Sequence, residues 1–376
     1  MLPYLVNIVF QFARRPVGRL AFDLAFILLH SKIATLLKYS KKFMSYQITV
    51  LPAGETYCAE KGQSLLNAAI DHGMMLPHAC KSGCCGACKA RLINGLTSEI
   101  NNQAALNSKY NHQQDILLCC QSAESDITLY LPNYHGSNNL PAQTLTVRID
   151  DIRYCANVAI VTLKLPPNKH FNFTAGQYID IVLPDNLRRS YSIARFNDDT
   201  RQLIIHVRRR AAGVFSEQLF DGRLKPKDII RIHGPLGCFH LQEQHKPLIM
   251  LASGTGIAPI EAMLVALAQQ QYQQPVFVYW GVAAEENLYD SALLNELCAG
   301  LAQAQWTAVL SRASDTWQGA QGYVQDIALV RHPDMSHYTV YACGHPQMIV
   351  QSKNLFTSHA CLAEEAFFAD KFTPAP

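Results

Sequence analysis

Four cysteines fall within nine residues of the chain, in the segment PHACKSGCCGACKA at residues 77–90. Cys80, Cys85 and Cys88 have the spacing C-x4-C-x2-C, with glycines between them. Thiols gathered so tightly bind metal, form disulfides or carry out redox chemistry. No secretory signal sequence is evident, and cytoplasmic thiols stay reduced. We therefore expect a cytoplasmic location and a metal or redox role for this loop.

The spacing favours a [2Fe–2S] cluster, which requires four thiolates on two irons. Gly83 and Gly86 allow unusual backbone angles and leave amide groups free to hydrogen-bond the sulfides. The segment ILLCCQ supplies a distant fourth thiol at Cys119 or Cys120. A zinc knuckle would need a second C-x2-C pair, which is missing. A C-x-x-C redox pair would leave Cys80 without a role.

The loop resembles that of plant-type ferredoxins. The segment ILLCCQSAESDITLYLPNY also resembles the end of the ferredoxin domain in methane monooxygenase reductase, where a cysteine precedes an aspartate by seven residues. Cys119 and Asp126 match that pair, whereas relatives with Cys-Gln favour Cys120. The resemblance implies the cluster ligands Cys80, Cys85, Cys88 and Cys119.

Hydrophobic patterning divides the chain into three domains after a basic, apolar extension at residues 1–43. Residues 44–137 combine alternating strands with a short amphipathic helix, which predicts a small α+β domain, and the resemblance to ferredoxins implies that its fold is a β-grasp. Residues 142–243 consist of short alternating runs spaced by turn residues, which predicts an antiparallel β-barrel. Continuous apolar runs alternate with helical stretches in residues 244–376, which predicts an α/β, Rossmann-like parallel sheet covered on both faces.

Charge is distributed unevenly along these segments. Residues 141–243 hold 15 Lys/Arg against ten Asp/Glu, which suggests an anionic ligand such as a nucleotide phosphate. No basic stripe interleaved with aromatic residues is present, so we expect no nucleic-acid partner. Within residues 1–43, the apolar stretch RLAFDLAFILLH is too short for a membrane span and is interrupted by Asp23. The segment either forms a basic membrane-surface helix or precedes the true start at Met44.

The segment RRSYSIA matches the Arg-x-Tyr-Ser motif of the ferredoxin–NADP reductase superfamily. In this motif the guanidinium pairs with a pyrophosphate, the phenol ring packs on the flavin and the hydroxyl hydrogen-bonds its N5 atom. The segment HVRRRAAGVFSEQL resembles the second flavin element, where a helix start offers backbone N–H groups to phosphate. The resemblance implies FAD contacts at Arg189, Ser190, Tyr191, Ser192, Val207, Arg208, Gly213 and Ser216, with Ser192 acting in catalysis.

The segment LASGTGIAP follows a buried strand and opens a helix, so Gly254, Thr255 and Gly256 can cradle a dinucleotide pyrophosphate. Cys343 and Gly344 resemble the family's Cys-Gly-x-Pro element, in which the cysteine lies beside the nicotinamide. His345 stands where these proteins usually have a proline directly after the glycine. The ending FADKF resembles a carboxylate-x-aromatic element, which implies a catalytic role for Asp370 beside Cys343 and a cofactor contact at Phe372.

The resemblance covers residues 45–376 and implies a reductase component of the kind paired with phenol hydroxylase, methane monooxygenase or deoxysugar dehydrases. Such a protein passes electrons from NADH through FAD and a [2Fe–2S] cluster to an oxygenase or iron–sulfur dehydrase partner. The Ser-…-Trp-x-Gly pattern in LSRASDTWQG favours NADH. NADPH stays the alternative, because the pair Ser311-Arg312 is of a type that holds a 2′-phosphate.

Three other functions stay open on the sequence. One is a membrane-associated NADH:quinone reductase flavoprotein subunit, for which residues 1–43 would provide membrane contact. Another is a stand-alone flavin or ferric reductase that uses the first domain only for docking. The third is a zinc-binding protein without enzymatic activity, which would leave the flavin motifs without a role.

Overall fold

A computed structural model describes residues 45–78, 81–84, 86–106, 114–132, 134, 136, 142–242 and 245–372. The predicted ligands Cys80 and Cys85 lie outside the described residues, as does the basic segment 1–43. Within the described ranges, no helix has the length and apolar character needed to cross a lipid bilayer.

The first sheet is mixed, with strand order β2-β1-β7-β3-β5, and a short helix packs beside it. Ser64 caps this helix by accepting a hydrogen bond from the Asn67 N–H at 3.1 Å, and Gly73 follows its end with φ of +76°. The predicted β-grasp arrangement is confirmed. The elements are β1 Ser45–Leu51, β2 Glu55–Glu60, α1 Leu65–Asp71, β3 Lys89–Asn94, β4 Thr97–Glu99, β5 Asp115–Leu117, β6 Gln121–Ala123 and β7 Ile127–Tyr130.

The middle of the chain closes into a six-stranded barrel with the order β10-β11-β12-β9-β8-β13. Every neighbouring pair is antiparallel, and three of the six pairs, β8–β9, β10–β11 and β11–β12, join strands that are consecutive in the chain. The predicted antiparallel barrel is confirmed. Its elements are β8 Gln143–Cys155, β9 Val158–Lys164, β10 Tyr178–Val182, β11 Arg188–Asn197, β12 Gln202–Arg208, α2 Val214–Phe220 and β13 Ile229–Leu236.

The last part of the chain forms a parallel sheet with the order β17-β16-β15-β14-β18-β19. Its central strands are buried on both faces, which explains their continuous apolar sequence. The predicted parallel sheet is therefore confirmed. Its elements are β14 Leu248–Ser253, α3 Ile257–Gln269, β15 Val276–Val282, α4 Ser291–Ala299, β16 Ala304–Leu310, β17 Ala320–Gln321, α5 Val324–Arg331, β18 Thr339–Gly344, α6 Pro346–His359 and β19 Phe367–Lys371.

Two apolar clusters cover the two faces of this sheet. On one face, Met250 and Trp280 pack with Leu264 of α3. On the other, Leu251 packs with Ala328 of α5 and Phe356 of α6. The sheet therefore holds the turn after β14 and the turn after β18 side by side at its carboxyl edge, where ligands bind in sheets of this type.

Candidate cofactor sites

Two of the predicted cluster ligands, Cys88 of the loop and the distant Cys119, lie within the described residues, and the fold brings them together. The Sγ atoms of Cys88 and Cys119 are 3.3 Å apart, and both residues are buried. Two thiolates on one tetrahedral metal lie roughly 3.8 Å apart when each metal–sulfur bond is about 2.3 Å. The pair therefore fits two ligands of one iron atom.

The hydrogen bond from Cys88 is the main reason that the pKa of Cys119 falls to about 6, although burial acts in the opposite direction. Thiolate is the form that binds metal. Cys120 lies 3.5 Å from Cys119, and its thiol contacts the Asn102 carbonyl at 3.5 Å. The Cys120 thiol thus packs against the backbone at Asn102.

Glycine is required where the loop crosses Cys120. Gly83 has φ of +78°, and a Cβ there would lie 2.1 Å from the Asn102 carbonyl oxygen and 2.8 Å from the Cys120 sulfur. Gly86 has φ of +71°. The expected unusual backbone angles at both glycines are present, and at Gly83 the loop approaches the chain too closely for any side chain.

Charged groups of the cluster loop and of the barrel lie close together. Partial burial lowers the pKa of Lys81, while Asp180 of β10 offsets this effect. Asp180 accepts a hydrogen bond from the Ser190 hydroxyl at 2.7 Å and lies 3.6 Å from the Arg188 guanidinium. The charge of Lys81 in the cluster loop is thus coupled to β10, which pairs with β11, the strand that carries the predicted flavin motif.

The flavin motif lies on β11 with alternating exposure. Ser192 is buried opposite Tyr178 of β10, and the half-buried Tyr191 ring lies 5.4 Å from the Phe215 ring of α2. Arg189 stays half-buried, with its guanidinium donating to the Arg188 carbonyl at 2.9 Å. An apolar ring, a hydroxyl and cations along one strand fit a flavin and its phosphates.

The residues of the second flavin element, at the end of β12 and the start of α2, differ in their exposure and contacts. Val207 is fully buried within β12, while Arg208 is exposed at the strand end. The Ser216 hydroxyl is 3.2 Å from the Arg210 N–H, which donates to it, and a Cβ on Gly213 would lie 2.4 Å from that hydroxyl. Ser216 therefore holds the turn before α2 through its side chain, which leaves only backbone groups for a phosphate.

The dinucleotide turn is packed backbone against backbone. A Cβ on Gly256 would lie 2.1 Å from the Cys343 carbonyl oxygen, and one on Gly344 would lie 2.3 Å from the Ser253 hydroxyl. The Ser253 hydroxyl also accepts a hydrogen bond from the His345 N–H at 2.8 Å. These approaches require glycine and join the ends of β14 and β18, as a pyrophosphate cradle needs. Thr255 follows Gly254 in the same turn.

Cys343 and Asp370 are neighbours across β18 and β19. Burial raises the pKa of the Cys343 thiol well above its ordinary value, and Asp370 raises it further. Burial also raises the pKa of Asp370 to about 6. The thiol thus stays protonated, while the carboxyl can hold or release a proton near neutral pH. Phe372 is tied to this edge, because its N–H donates to the Gly344 carbonyl at 2.8 Å.

A cavity of about 350 Å³ brings many of these groups together. Arg208 and Arg210 line it from the barrel, and Ser253, Gly254 and Thr255 line it from the sheet. Such a volume, lined by cations, backbone amides and aromatic rings, suits a dinucleotide. Phe372 lines this cavity, whereas Cys343 is buried behind it.

Several lining residues escaped the sequence reasoning. Asn157, Tyr289 and Tyr323 line the cavity without belonging to any predicted motif, and Arg210 lines it from the second flavin segment without having been predicted as a contact. The run Arg208–Arg210 could have indicated Arg210, since three consecutive arginines at a strand end are an obvious phosphate signal. The other three residues come from separate elements, so no local pattern unites them.

Three family models match the chain in succession. They describe a 2Fe-2S iron-sulfur cluster binding domain over residues 48–123, an oxidoreductase FAD-binding domain over 147–241 and an oxidoreductase NAD-binding domain over 250–354. The residues present fit all three groups: paired thiols in the first part, a flavin-type strand in the second and a glycine cradle in the third.

Curated relatives match over nearly their whole length. The chain is 37% identical over 333 residues to the CDP-6-deoxy-L-threo-D-glycero-4-hexulose-3-dehydrase reductase of Yersinia pestis, covering 88% of this chain and 100% of that protein. It is 30% identical to terephthalate 1,2-dioxygenase reductase component 2 of Comamonas sp., covering 89% and 99%. The crystal structure of an Amycolatopsis cytochrome P450 reductase superimposes with a TM-score of 0.71 at 27% identity, covering 88% and 100%.

Proposed function

The chain belongs to the family of reductase components that join a [2Fe–2S] ferredoxin domain to FAD-binding and NAD-binding domains, and we propose that its electron acceptor is an iron–sulfur dehydrase. It is an NAD(P)H-dependent oxidoreductase whose cofactors are a [2Fe–2S] cluster, FAD and a nicotinamide dinucleotide. When bound, FAD accepts two electrons from the dinucleotide and releases them singly to the cluster.

The observation that carries the choice of acceptor is the full-length similarity to a dehydrase reductase. That relative shares more of its sequence with this chain than the terephthalate dioxygenase reductase does. An oxygenase component is the second candidate, because the oxygenase reductases also match over nearly their whole length.

We further propose roles for the barrel residues. Arg189 and Arg208 pair with flavin phosphates, Tyr191 packs on the ring system, and the buried Ser192 hydroxyl hydrogen-bonds the flavin ring. The backbone amides at Gly213 and at the start of α2 serve the same phosphates. Support comes from the positions of these groups along β11 and at the end of β12.

On the sheet side, Gly254, Thr255 and Gly256 hold the pyrophosphate of the dinucleotide in this proposal. Cys343 fixes the depth at which the nicotinamide sits, and Asp370 holds a proton beside it. Burial of the neutral thiol and the pKa of about 6 at Asp370 support these roles.

We propose NADH as the electron donor. Ser311 and Arg312 are exposed after β16, with their N–H groups donating to Val282 and Ala283 at 3.1 and 2.8 Å. Only Ser311 of the two lines the cavity. If NADPH is instead the better donor, the Arg312 guanidinium would bind its 2′-phosphate. Arg312→Ala would then raise the Kd for NADPH by about tenfold or more and leave the Kd for NADH unchanged.

Anaerobic reduction of the purified holoprotein tests the proposal. NADH and NADPH are titrated separately, and visible absorbance and low-temperature EPR are recorded after iron, sulfide and flavin analysis. The reduced protein is then mixed with a purified hexulose dehydrase or with a dioxygenase component. Rapid reoxidation by the dehydrase alone supports the proposed acceptor, whereas reoxidation by the oxygenase component alone would assign the second candidate.

Location stays a prediction. The sequence favours the cytoplasm, with peripheral membrane contact through residues 1–43 as the alternative. Flotation of the full chain with anionic vesicles, beside a chain starting at Met44, distinguishes the two. Flotation that is lost in the shorter chain would support membrane contact.

A further inference from the structure

Five ionisable side chains form a cluster where the barrel meets the parallel sheet, and it contains no residue assigned above. Arg153, Arg195 and His206 come from β8, β11 and β12, while Glu261 lies on α3 and Asp290 just before α4. We call these five residues the interdomain ionic cluster. Charges buried at a domain contact carry a large desolvation cost, so they persist only where they have partners.

Arg195 is the member that touches both carboxylates of the nucleotide-binding side. Its Nε atom lies 3.7 Å from Glu261 Oε2, and its terminal nitrogen lies 3.9 Å from Asp290 Oδ2. Arg153 donates to the same Asp290 oxygen at 2.7 Å. Two barrel guanidiniums therefore lie beside two carboxyl groups, one on α3 and one just before α4. Burial raises the pKa of the Glu261 carboxyl to about 8, so this group is largely protonated at neutral pH and contacts Arg195 as a buried polar neighbour.

Histidine completes the cluster without adding charge. His206 Nε2 lies 3.8 Å from Glu261 Oε2, and its Nδ1 is hydrogen-bonded to the Tyr289 hydroxyl at 3.1 Å. Burial lowers the pKa of His206 to about 3, with Arg195 and Arg153 adding to the effect, so the ring is neutral at physiological pH. The positive charge at the contact is thus supplied by the two arginines.

Members of the interdomain ionic cluster lie close in sequence to the flavin motifs and to the dinucleotide turn. Arg195 follows Ser192 by three residues on β11, and His206 precedes Arg208 by two residues on β12. On the other side, Glu261 lies one turn into the helix that Gly256 opens. A shift of α3 relative to β11 would therefore move the dinucleotide cradle relative to the flavin strand.

We propose that Arg195 is a positioning residue for hydride transfer, which holds the dinucleotide cradle at a fixed distance from the flavin strand through Glu261 and Asp290. A displacement of about 1 Å between reacting groups can cost about a hundredfold in rate, while binding contacts that lie within one domain are retained. This role concerns transfer from dinucleotide to flavin and does not depend on which acceptor is used.

The test compares Arg195→Met and Arg195→Lys with the control Arg231→Met, which removes an exposed arginine from β13 of the same barrel. Stopped-flow reduction of the flavin is measured over a range of NADH concentrations. We expect Arg195→Met to lower the limiting rate by about tenfold or more, with a change of less than about threefold in the Kd for NADH. Arg195→Lys keeps the positive charge but not the planar guanidinium that reaches two carboxyl groups at once. Its limiting rate of flavin reduction should therefore lie between those of wild type and Arg195→Met.

A second readout does not depend on turnover. Hydrogen–deuterium exchange should increase in peptides of β11 and the start of α3 in Arg195→Met, and stay unchanged in the first domain. Adding Glu261→Met to Arg195→Met should lower the rate little further, because each change alone already removes the Arg195–Glu261 contact. Wild-type rates in both Arg195 variants, or faster exchange throughout the chain, would overturn the proposal. If Arg195→Met fails to retain FAD, Arg195→Lys and Glu261→Met give the same comparison.

Discussion

We expect Gly83→Ala to disrupt the cluster loop more than a methyl group added at any other described position of the first domain would. The residue has φ of +78°, and its added Cβ would lie 2.1 Å from the Asn102 carbonyl oxygen. The obstacle is a backbone atom, so it cannot move aside by a rotamer change. The loop must shift as a unit, together with the Cys120 sulfur at 2.8 Å.

The structure offers a matched control at Gly73, just beyond the end of α1. Gly73 has nearly the same φ, +76°, and nothing lies within 4 Å of its ideal Cβ. Alanine there costs only the left-handed backbone penalty, about 1–2 kcal/mol. Alanine at Gly83 costs that penalty plus about 1–3 kcal/mol for overpacking. The difference between the two variants therefore measures the close approach alone.

Urea titration of the holoprotein, followed by visible circular dichroism of the cluster and by iron content, measures this difference. We expect Gly83→Ala to lose the cluster signal at clearly lower urea than Gly73→Ala, by an amount equivalent to about 1–3 kcal/mol. Purified Gly83→Ala should also contain less iron per chain. Equal midpoints and equal iron in the two variants would refute the steric argument and the loop geometry behind it.

Three further predictions concern single residues. Cys119→Ser should abolish the EPR signal of the reduced cluster, whereas Cys120→Ser should retain it, because the Cys119 sulfur is the one that lies beside Cys88. The reverse result would make Cys120 the ligand. Gly256→Ala should raise the Kd for NADH by about tenfold or more in equilibrium binding, whereas Gly254→Ala, whose Cβ would meet its nearest atom at 3.6 Å, should be milder. Asp370→Asn should be more stable than wild type above pH 6 and equally stable below pH 4. The pKa of Asp370 in the folded protein, about 6, exceeds the ordinary 3.8, so the free energy of unfolding of the wild type falls by at most about 3 kcal/mol as the pH rises between these two values. Thermal melts between pH 4 and 8 would detect this difference.

Local sequence patterns predicted the three sheets because each sheet has its own periodicity. Alternating runs predicted the barrel, and continuous apolar runs predicted the parallel sheet, where β14 is buried along nearly its whole length. Glycines were equally informative, because Gly83 and Gly256 occupy positions where a side chain has no room. These glycines are visible in the sequence as motif residues, although the atoms that exclude a side chain belong to Asn102 and Cys343, which are distant in the chain.

Contacts between distant segments were not predictable in this way. Arg195 and Glu261 are 66 residues apart, and neither belongs to a motif, so their contact follows only from the packing of α3 against β11. Ser216 illustrates the same limit, because its motif predicts a backbone N–H contact with phosphate but gives no sign that its hydroxyl accepts a hydrogen bond from the Arg210 N–H. Side-chain roles depend on neighbours that a linear pattern does not contain.

The burial of Cys343 has a practical consequence for labelling this protein. Maleimides and iodoacetamide react with thiolates that solvent can reach, and this thiol is fully buried with a raised pKa. Cys58, Cys84 and Cys361, by contrast, are exposed, and Cys84 lies in the cluster loop. After substitution of Cys84, a fluorophore or spin label can therefore be attached at Cys58 or Cys361 under mild conditions, and the thiol behind the dinucleotide turn needs no protective substitution.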